Sequence, residues 1–261
     1  VASLDRADAA VRRADAIVGG REEKHRWSNA FADACARMLA DPIRRHESFR
    51  RLTVLPEHGG GTEQRTFVAG DKRKRVDVVV SSLVSGLQVG ISLKGMNFRD
   101  PGSWNFDKNL TGRTYELQDE VRLIHEYQPA SFIVAMYFLP LAATDDKREV
   151  RSNSSFAHTV EHLRARTGRL DPTLPSQMHR VDMAFVALYE PGDADETPFD
   201  LARPPVERGV VRYFDVMTDP PRRGRPIVGN TLDLDAMVDA IAGRFERGGT
   251  PPMRWAEPEP D

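Results

Sequence analysis

The spacing of apolar residues changes along the chain between the period of a strand and the period of a helix. From Arg75 to Gly95 the sequence RVDVVVSSLVSGLQVGISLKG has β-branched runs broken at a Ser/Gly turn, which predicts two strands joined near residues 83–86. Asp77 comes early in the first strand and Lys94 comes late in the second. Because these ends meet in an antiparallel hairpin, we expect the carboxylate and the ammonium group to converge.

The same spacing predicts further elements on both sides of this hairpin. Helices are expected over residues 3–18, 21–40, 111–127, 154–169 and 232–245, with Asp41-Pro42 ending the second. Strands are expected over residues 63–69, 73–82, 87–95, 131–141, 181–188 and 209–216, the first three as a meander, and the ambiguous residues 42–57 fit a helix followed by a strand. The run SFIVAMYFLPL is apolar almost throughout, which is typical of a strand buried on both faces. A helix followed by such a strand indicates a crossover connection, and therefore a mixed sheet covered by helices.

Length and composition predict an ordinary globular protein. The 261 residues are 40% hydrophobic and 29% charged, so the chain can bury a sizeable core. We expect one domain over 1–247, with its core at about 20–190, an elaboration at 191–247 and a flexible tail at 248–261. No apolar run is long enough for a membrane helix, the N-terminus is too charged for a secretory signal, and the single Cys35 excludes an intramolecular disulfide. These features predict a soluble cytoplasmic protein without a membrane partner.

Charge is clustered although the net charge is only −2. One basic cluster directly precedes Asp77, and another lies in a late proline-rich loop. Such clusters can contact phosphates even when the whole chain is nearly neutral. A solvated loop explains each cluster equally simply, so both interpretations stay open. The candidate nucleic-acid contacts are Lys72, Arg73, Lys74, Arg75, Arg222, Arg223 and Arg225.

The order of elements and two short motifs resemble the core of the PD-(D/E)xK nuclease superfamily, which includes many restriction enzymes. In that family an Asp on one strand of a meander is followed by an acid-x-Lys triplet on the next strand. Here Asp77 and Ser92-Leu93-Lys94 stand at these places, and the resemblance covers about residues 20–140. It implies an α/β fold with a three-layer restriction-endonuclease-like core, in which helices flank a central mixed β-sheet. It also implies Mg²⁺, with Mn²⁺ as a possible substitute, bound by Asp77, the Leu93 carbonyl and one further carboxylate.

The triplet departs from the family pattern because Ser92 replaces its acid. Similar enzymes with Ser-x-Lys recover the carboxylate from the following helix, which makes Glu120 the first candidate here and Glu116 the second. The first core helix often supplies another acid, for which Glu23 is the candidate and Glu63 the alternative. Acidic residues at that helix start would equally complement the helix dipole.

The carboxylates, the lysine and the serine are residue types that metal-dependent phosphodiester hydrolysis can use. Phosphodiester hydrolysis needs a hard cation that neutralises phosphate oxygens and acidifies water, and Mg²⁺ takes carboxylate ligands such as Asp77 and Glu120. Lys94 can orient or deprotonate the attacking water, and Ser92 lies two residues away on the same strand face. This chemistry predicts metal-dependent phosphodiester hydrolysis, and the family resemblance implies a DNA endonuclease in restriction or antiviral defence. Double-strand cutting needs two sites, so we expect a homodimer or a component of a larger defence complex.

Three other interpretations stay open. The missing triplet acid also fits a catalytically inactive nuclease-fold subunit that binds DNA or a partner protein. Asp77 and Lys94 also fit a structural ion pair across a hairpin, which contributes little when exposed. His158 and His162 in HTVEH match the order HxxEH of inverted zinc peptidases, which makes a zinc hydrolase a minor alternative without an evident third ligand.

Overall fold

The computed structural model describes residues 2–57, 65–69, 72–147, 149, 151–171, 174–192 and 206–248. The α-helices are α1 (Ala2–Ala10), α2 (Arg13–Val18), α3 (Arg21–Arg45), α4 (Leu110–Tyr127), α5 (Ser155–Arg164) and α6 (Leu234–Gly248). The strands are β1 (Thr53–Leu55), β2 (Arg65–Ala69), β3 (Lys72–Val76), β4 (Val78–Ser82), β5 (Gly86–Gly95), β6 (Phe132–Pro140), β7 (Met183–Tyr189) and β8 (Val211–Asp215). Within these ranges, no helix is both long and apolar enough to cross a bilayer.

Six strands form one mixed sheet in the order β1-β4-β5-β6-β7-β8, while β2 and β3 form a separate two-stranded ribbon. Strands β5, β6 and β7 run parallel to one another, and the remaining neighbours in the sheet pair antiparallel. The parallel centre follows from two crossovers through α4 and α5. The predicted α/β class, with a mixed sheet and flanking helices, is therefore confirmed.

Helices cover both faces of this sheet because its central strands are apolar on both faces. Ile91 and Leu93 of β5 pack in one core cluster with residues of α1, α3 and α6. Tyr137 and Leu139 of β6 pack in a second cluster with residues of α4 and α5. All nine residues of β6 are buried, as a strand between two helical layers requires. The site described below lies on the face covered by α4.

The predicted three-strand meander is wrong in its first part. Strand β2 does pair with β3, the first part of the predicted strand 73–82, but the two form a separate ribbon, and β1 takes the place beside β4 in the main sheet. The predicted strand 73–82 is also interrupted at Asp77, where β3 ends and β4 begins. Periodicity identifies strand-forming residues, but packing against the rest of the protein selects their partners. Glu63 lies outside the described residues.

Helix ends also differ from the prediction. Helix α3 continues through Asp41-Pro42 to Arg45, and Pro42 itself is buried together with Leu39 and Ile43. A proline within a helix costs about 3 kcal/mol, which burial of this last turn offsets. Residues 3–18 form two helices instead of one, and α5 ends at Arg164. The predicted tail beyond Gly248 lies outside the described residues.

Candidate active site

Asp77 directly precedes β4, at the point where the backbone pairing between β4 and β5 ends. Val78 is the first residue of β4 that pairs with β5, opposite Ile91. Beyond that pair, the Leu93 amide donates to Asp77 Oδ2 at 2.7 Å, so the carboxylate satisfies an N–H that would otherwise lack a strand partner. The N–H and C=O of one strand residue point to the same edge, so the Leu93 carbonyl also faces the side of Asp77. These two predicted metal ligands therefore lie together.

Helix α4 brings a carboxylate to the lysine of the incomplete triplet. Lys94 Nζ donates to Glu120 Oε2 at 3.0 Å, and the two side chains are only 13% and 8% exposed. Glu116, the second candidate, pairs instead with Arg113 at 2.9 Å and has a side chain that is 58% exposed. Of the two acids on this helix, the structure therefore places Glu120 at the site.

Two oxygens beside this ion pair have no protein partner. Ser92 lies on the same face of β5 as Lys94, while Leu93 points into the opposite core. Neither Ser92 Oγ nor Glu120 Oε1, both buried, has a hydrogen-bond partner among the described residues. Buried polar atoms are seldom left unpaired, and each costs about 1–3 kcal/mol when it is. The two oxygens are thus available to a ligand.

The charges of the site are unbalanced. Burial raises the pKa of Asp77 to about 6; the Leu93 amide opposes this rise, the Glu120 carboxylate adds to it, and Lys94 and Arg75 oppose it. Asp77 and Glu120 therefore repel each other, and of the two cations that oppose the rise, Arg75 is also paired with Asp33 of α3, which leaves Lys94 as the cation buried within the site. A second cation would relieve the repulsion between the carboxylates.

The donor set fits a hard, oxygen-binding cation. Asp77, Glu120 and the Leu93 carbonyl offer oxygen ligands of the kind that Mg²⁺ and Mn²⁺ prefer, and Mg²⁺ keeps several waters of its own. Among the residues that the structure describes, no group of three or more His, Cys, Asp or Glu side chains is placed to hold a metal ion. A cation at this site would therefore rely on the carbonyl and on water in addition to the two carboxylates.

Glu23 has a different use from the one expected. Its Oε2 accepts a hydrogen bond from the Gly20 amide at 2.8 Å, which caps the start of α3. The acid that α3 brings toward the site is Asp33, which accepts from Arg75 Nη2 at 3.2 Å. Ten residues separate the two acids, which is about 15 Å along a helix. The structure thus shows Glu23 in a capping contact, and its contribution to the site stays a prediction.

The predicted phosphate contacts divide into two groups. Residues 72–74 form β3, but their side chains lie outside what the structure describes. Arg222 donates to Asn153 Oδ1 at 3.1 Å, and Arg223 donates to the Lys147 carbonyl at 2.7 Å. Arg225 is buried. The late arginine cluster therefore fastens a neighbouring loop and is not a free basic surface.

Tyr137 is a site residue that the sequence alone does not single out. It lies opposite Lys94 in the parallel pair β5–β6 and is fully buried. Burial, reinforced by the carboxylates of Glu116 and Glu120, raises its pKa to about 12, so the phenol stays neutral. The one available signal is that Tyr137 carries the only polar side chain between Phe132 and Leu139.

The two histidines of the zinc alternative do not face a common ligand position. His158 Nδ1 lies 2.6 Å from Asp107 Oδ2, and the rings of His158 and His162 are 6.0 Å apart and steeply inclined. Within the described part of the chain, no third metal ligand joins them. The zinc interpretation therefore gains no support from this geometry.

Comparisons of the chain with protein-family models, with curated proteins and with solved structures gave no match. Function must consequently be argued from the geometry and chemistry of the site. That site combines two buried carboxylates and one lysine with two buried oxygens, Ser92 Oγ and Glu120 Oε1, that have no hydrogen-bond partner in the described part of the chain.

Proposed function

We propose that the protein is a metal-dependent endonuclease that hydrolyses phosphodiester bonds in DNA, with a restriction-endonuclease-like core. The contact of 3.0 Å between Lys94 and Glu120 carries the proposal. A Ser-x-Lys variant of the PD-(D/E)xK pattern requires a carboxylate from the helix after the triplet strand. Glu120 meets that requirement, and Asp77 supplies the second carboxylate.

The arrangement of elements supports the same family. Helix α3 precedes an antiparallel set of strands, β1-β4-β5, and α4 then crosses to the parallel strand β6. The candidate residues lie on β5, at the start of β4 and on α4. This is the layout expected of a three-layer nuclease core in which the second and third meander strands carry the site.

Each side chain has a definite part in the proposed mechanism. Asp77, Glu120 and the Leu93 carbonyl would hold Mg²⁺ or Mn²⁺, which would supply neutralisation of the phosphate charge and a more acidic water. Lys94, oriented by Glu120, would donate to the attacking water or to the phosphate oxygens and stabilise the developing charge. The Ser92 hydroxyl would bind water within the site. The low exposure of these groups strengthens their electrostatic effect.

The β2–β3 ribbon supports a nucleic-acid substrate. Its second strand carries the sequence KRKR and leads directly into Asp77. A two-stranded ribbon can enter the major groove of DNA, and basic residues on it would neutralise nearby phosphates. A duplex bound there would lie next to the candidate site. Cleavage of both strands would then require a homodimer or a larger assembly, and restriction or antiviral defence is the setting that the family resemblance suggests.

A catalytically inactive subunit that binds DNA or a partner protein is the second candidate. It is favoured by the mutual pairing of Lys94 and Glu120, which leaves the lysine satisfied without substrate. A structural ion pair of this kind would serve packing alone.

A plasmid assay separates the two candidates. We expect the protein to cleave supercoiled DNA with Mg²⁺ or Mn²⁺ and to stop when EDTA is added. Lys94→Ala and Glu120→Gln should each lower the rate by about 100-fold or more. Lys108→Ala is the matched control, because Lys108 is an exposed lysine paired with Asp100.

The possible outcomes differ clearly. DNA binding without cleavage by the wild type, in any of these metals, would favour the inactive subunit. Equal cleavage by wild type and Lys94→Ala would refute catalysis at this site.

A further inference from the structure

A polar cavity of about 630 Å³ lies between the loops that follow β5 and β6 and the first turn of α5. It shares no lining residue with the site formed by Asp77, Lys94 and Glu120. Crevices beyond the carboxyl ends of parallel strands are common ligand positions in α/β proteins. Three of its lining residues, Lys147, Arg151 and His158, are basic, and Glu149 is the acidic one.

A buried carboxylate fixes two of these basic groups. Asp107 accepts from Lys147 Nζ at 2.7 and 2.8 Å and lies 2.6 Å from His158 Nδ1. Burial by itself would raise the pKa of Asp107, but the hydrogen bonds from His158 and Lys147 outweigh it and hold the pKa well below its usual range. Asp107 is therefore ionised. Since its contact occupies Nδ1, the opposite ring nitrogen of His158, Nε2, is left for a ligand.

Arg151 supplies a cation that has no side-chain partner among the residues that the structure describes. Its side chain is exposed at the cavity, and no hydrogen bond or ion pair joins its guanidinium to another residue in the described ranges. Asp107 offsets Lys147 and Glu149 offsets Arg151, so binding of an anion depends on the placement of the exposed Arg151 guanidinium and not on an excess of positive charge. A guanidinium offers a fork of donors that matches the oxygens of a phosphate group.

Two arginines of the late loop, Arg222 and Arg223, bind the backbone of the cavity segment that carries Arg151. Arg223 donates to the Lys147 carbonyl at 2.7 Å and to the Glu149 carbonyl at 3.2 Å, and Arg222 donates to the Arg151 carbonyl. These bonds order the segment before any ligand arrives. Pre-ordered binding groups lose less entropy on association, so their interactions contribute more to affinity.

We propose that this cavity is a second site, which binds a phosphate group of a nucleotide or of a nucleic-acid end. Arg151 donates to the phosphate oxygens, and His158 contacts the phosphate group through Nε2, while Lys147, paired with Asp107, lines the base of the cavity. This site is independent of the proposed nuclease centre, because the two have no residue in common.

The test uses the full chain and inorganic phosphate as the probe. Titration is followed by the NMR signals of the His158 ring and by calorimetry. We expect a saturable shift of the His158 signals, and an affinity about tenfold or more weaker in Arg151→Gln. Arg50→Gln, which removes an exposed arginine elsewhere, should bind phosphate like the wild type, and Lys94→Ala should leave the phosphate-induced shift of the His158 signals unchanged.

Competition then distinguishes the source of the phosphate group. Adenosine monophosphate and a 5′-phosphorylated oligonucleotide are each added to the phosphate-bound protein while His158 is observed. Displacement by the mononucleotide identifies a free nucleotide, and displacement by the oligonucleotide alone identifies a chain end. The proposal is overturned if phosphate causes no saturable shift, if Arg151→Gln binds as tightly as wild type, or if neither competitor displaces phosphate. Loss of plasmid cleavage in Lys94→Ala with unchanged phosphate binding would separate this site from the nuclease centre.

Discussion

Replacing Asp77 by Asn removes the charge from the candidate site while it keeps an oxygen for the Leu93 amide. Burial, opposed by that amide and reinforced by Glu120, raises the pKa of Asp77 from 3.8 to about 6. An increase of about two in a pKa corresponds to about 3 kcal/mol in favour of the protonated form. Because the folded protein binds this proton more tightly than the unfolded chain, its stability falls as the pH rises from the unfolded to the folded pKa.

The expected result is a stabilised variant whose advantage depends on pH. Without metal, the free energy of unfolding of Asp77→Asn should exceed that of the wild type by up to about 3 kcal/mol at about pH 8, and by only about 1 kcal/mol at about pH 4.5. Urea denaturation in EDTA at the two pH values measures both differences. Asp119→Asn is the control, because its side chain is 54% exposed and it should show no comparable pH-dependent gain.

Metal should remove most of the difference in stability between the two proteins. A cation present at about 100 times its dissociation constant stabilises the folded state by about 2.7 kcal/mol. We expect Mg²⁺ to stabilise the wild type in this way and to have little effect on Asp77→Asn. If Asp77→Asn is less stable than the wild type at both pH values, burial of the ionised Asp77 carboxylate does not destabilise the folded protein, and the prediction is wrong. Equal stabilisation of both proteins by Mg²⁺ would show that Asp77 does not hold the ion.

Other predictions concern the ion pair, a turn and the brace behind the cavity. Lys94→Met leaves Glu120 buried without its cation and should lower the free energy of unfolding, measured by urea denaturation, by about 3 kcal/mol or more. The double variant Lys94→Met/Glu120→Gln should recover most of that loss. An equal loss in the single and the double variant would contradict this prediction. Gly86→Ala should lower the melting temperature, because the backbone there has φ of 69° and an added Cβ would lie 2.6 Å from the Gln128 side chain. Gly112→Ala is the control and should leave the melting temperature unchanged, because no atom lies within 4 Å of the added Cβ. Arg223→Ala should speed amide hydrogen exchange in the segment after β6, as measured by mass spectrometry, and leave plasmid cleavage unchanged; unchanged exchange would show that the brace is dispensable.

The local sequence alone determined the strands and helices whose type and burial can be predicted from the pattern of their own residues. The apolar run at 131–141 indicated a doubly buried strand because no polar side chain except Tyr137 interrupts it, and β6 is that strand. Apolar residues at helical spacing located α4 within one residue of its observed start. The same spacing put Glu116 and Glu120 on one helical stripe, which narrowed the missing acid to two residues without choosing between them.

Tertiary structure decided the contacts that join distant parts of the chain. Glu120 meets Lys94, 26 residues away, because α4 packs on the face of β5 that carries Lys94, whereas Glu116 turns toward solvent. Asp77 lies at the break between β3 and β4, where β3 pairs with β2 in the ribbon and β4 pairs with β1 and β5 in the main sheet. Residue types and their spacing indicate which reactions the side chains can support. The distances between side chains that are far apart in the sequence depend on the paths of the loops and on the pairing of the strands. The sequence alone therefore predicted the members of the site, and packing selected which of them meet.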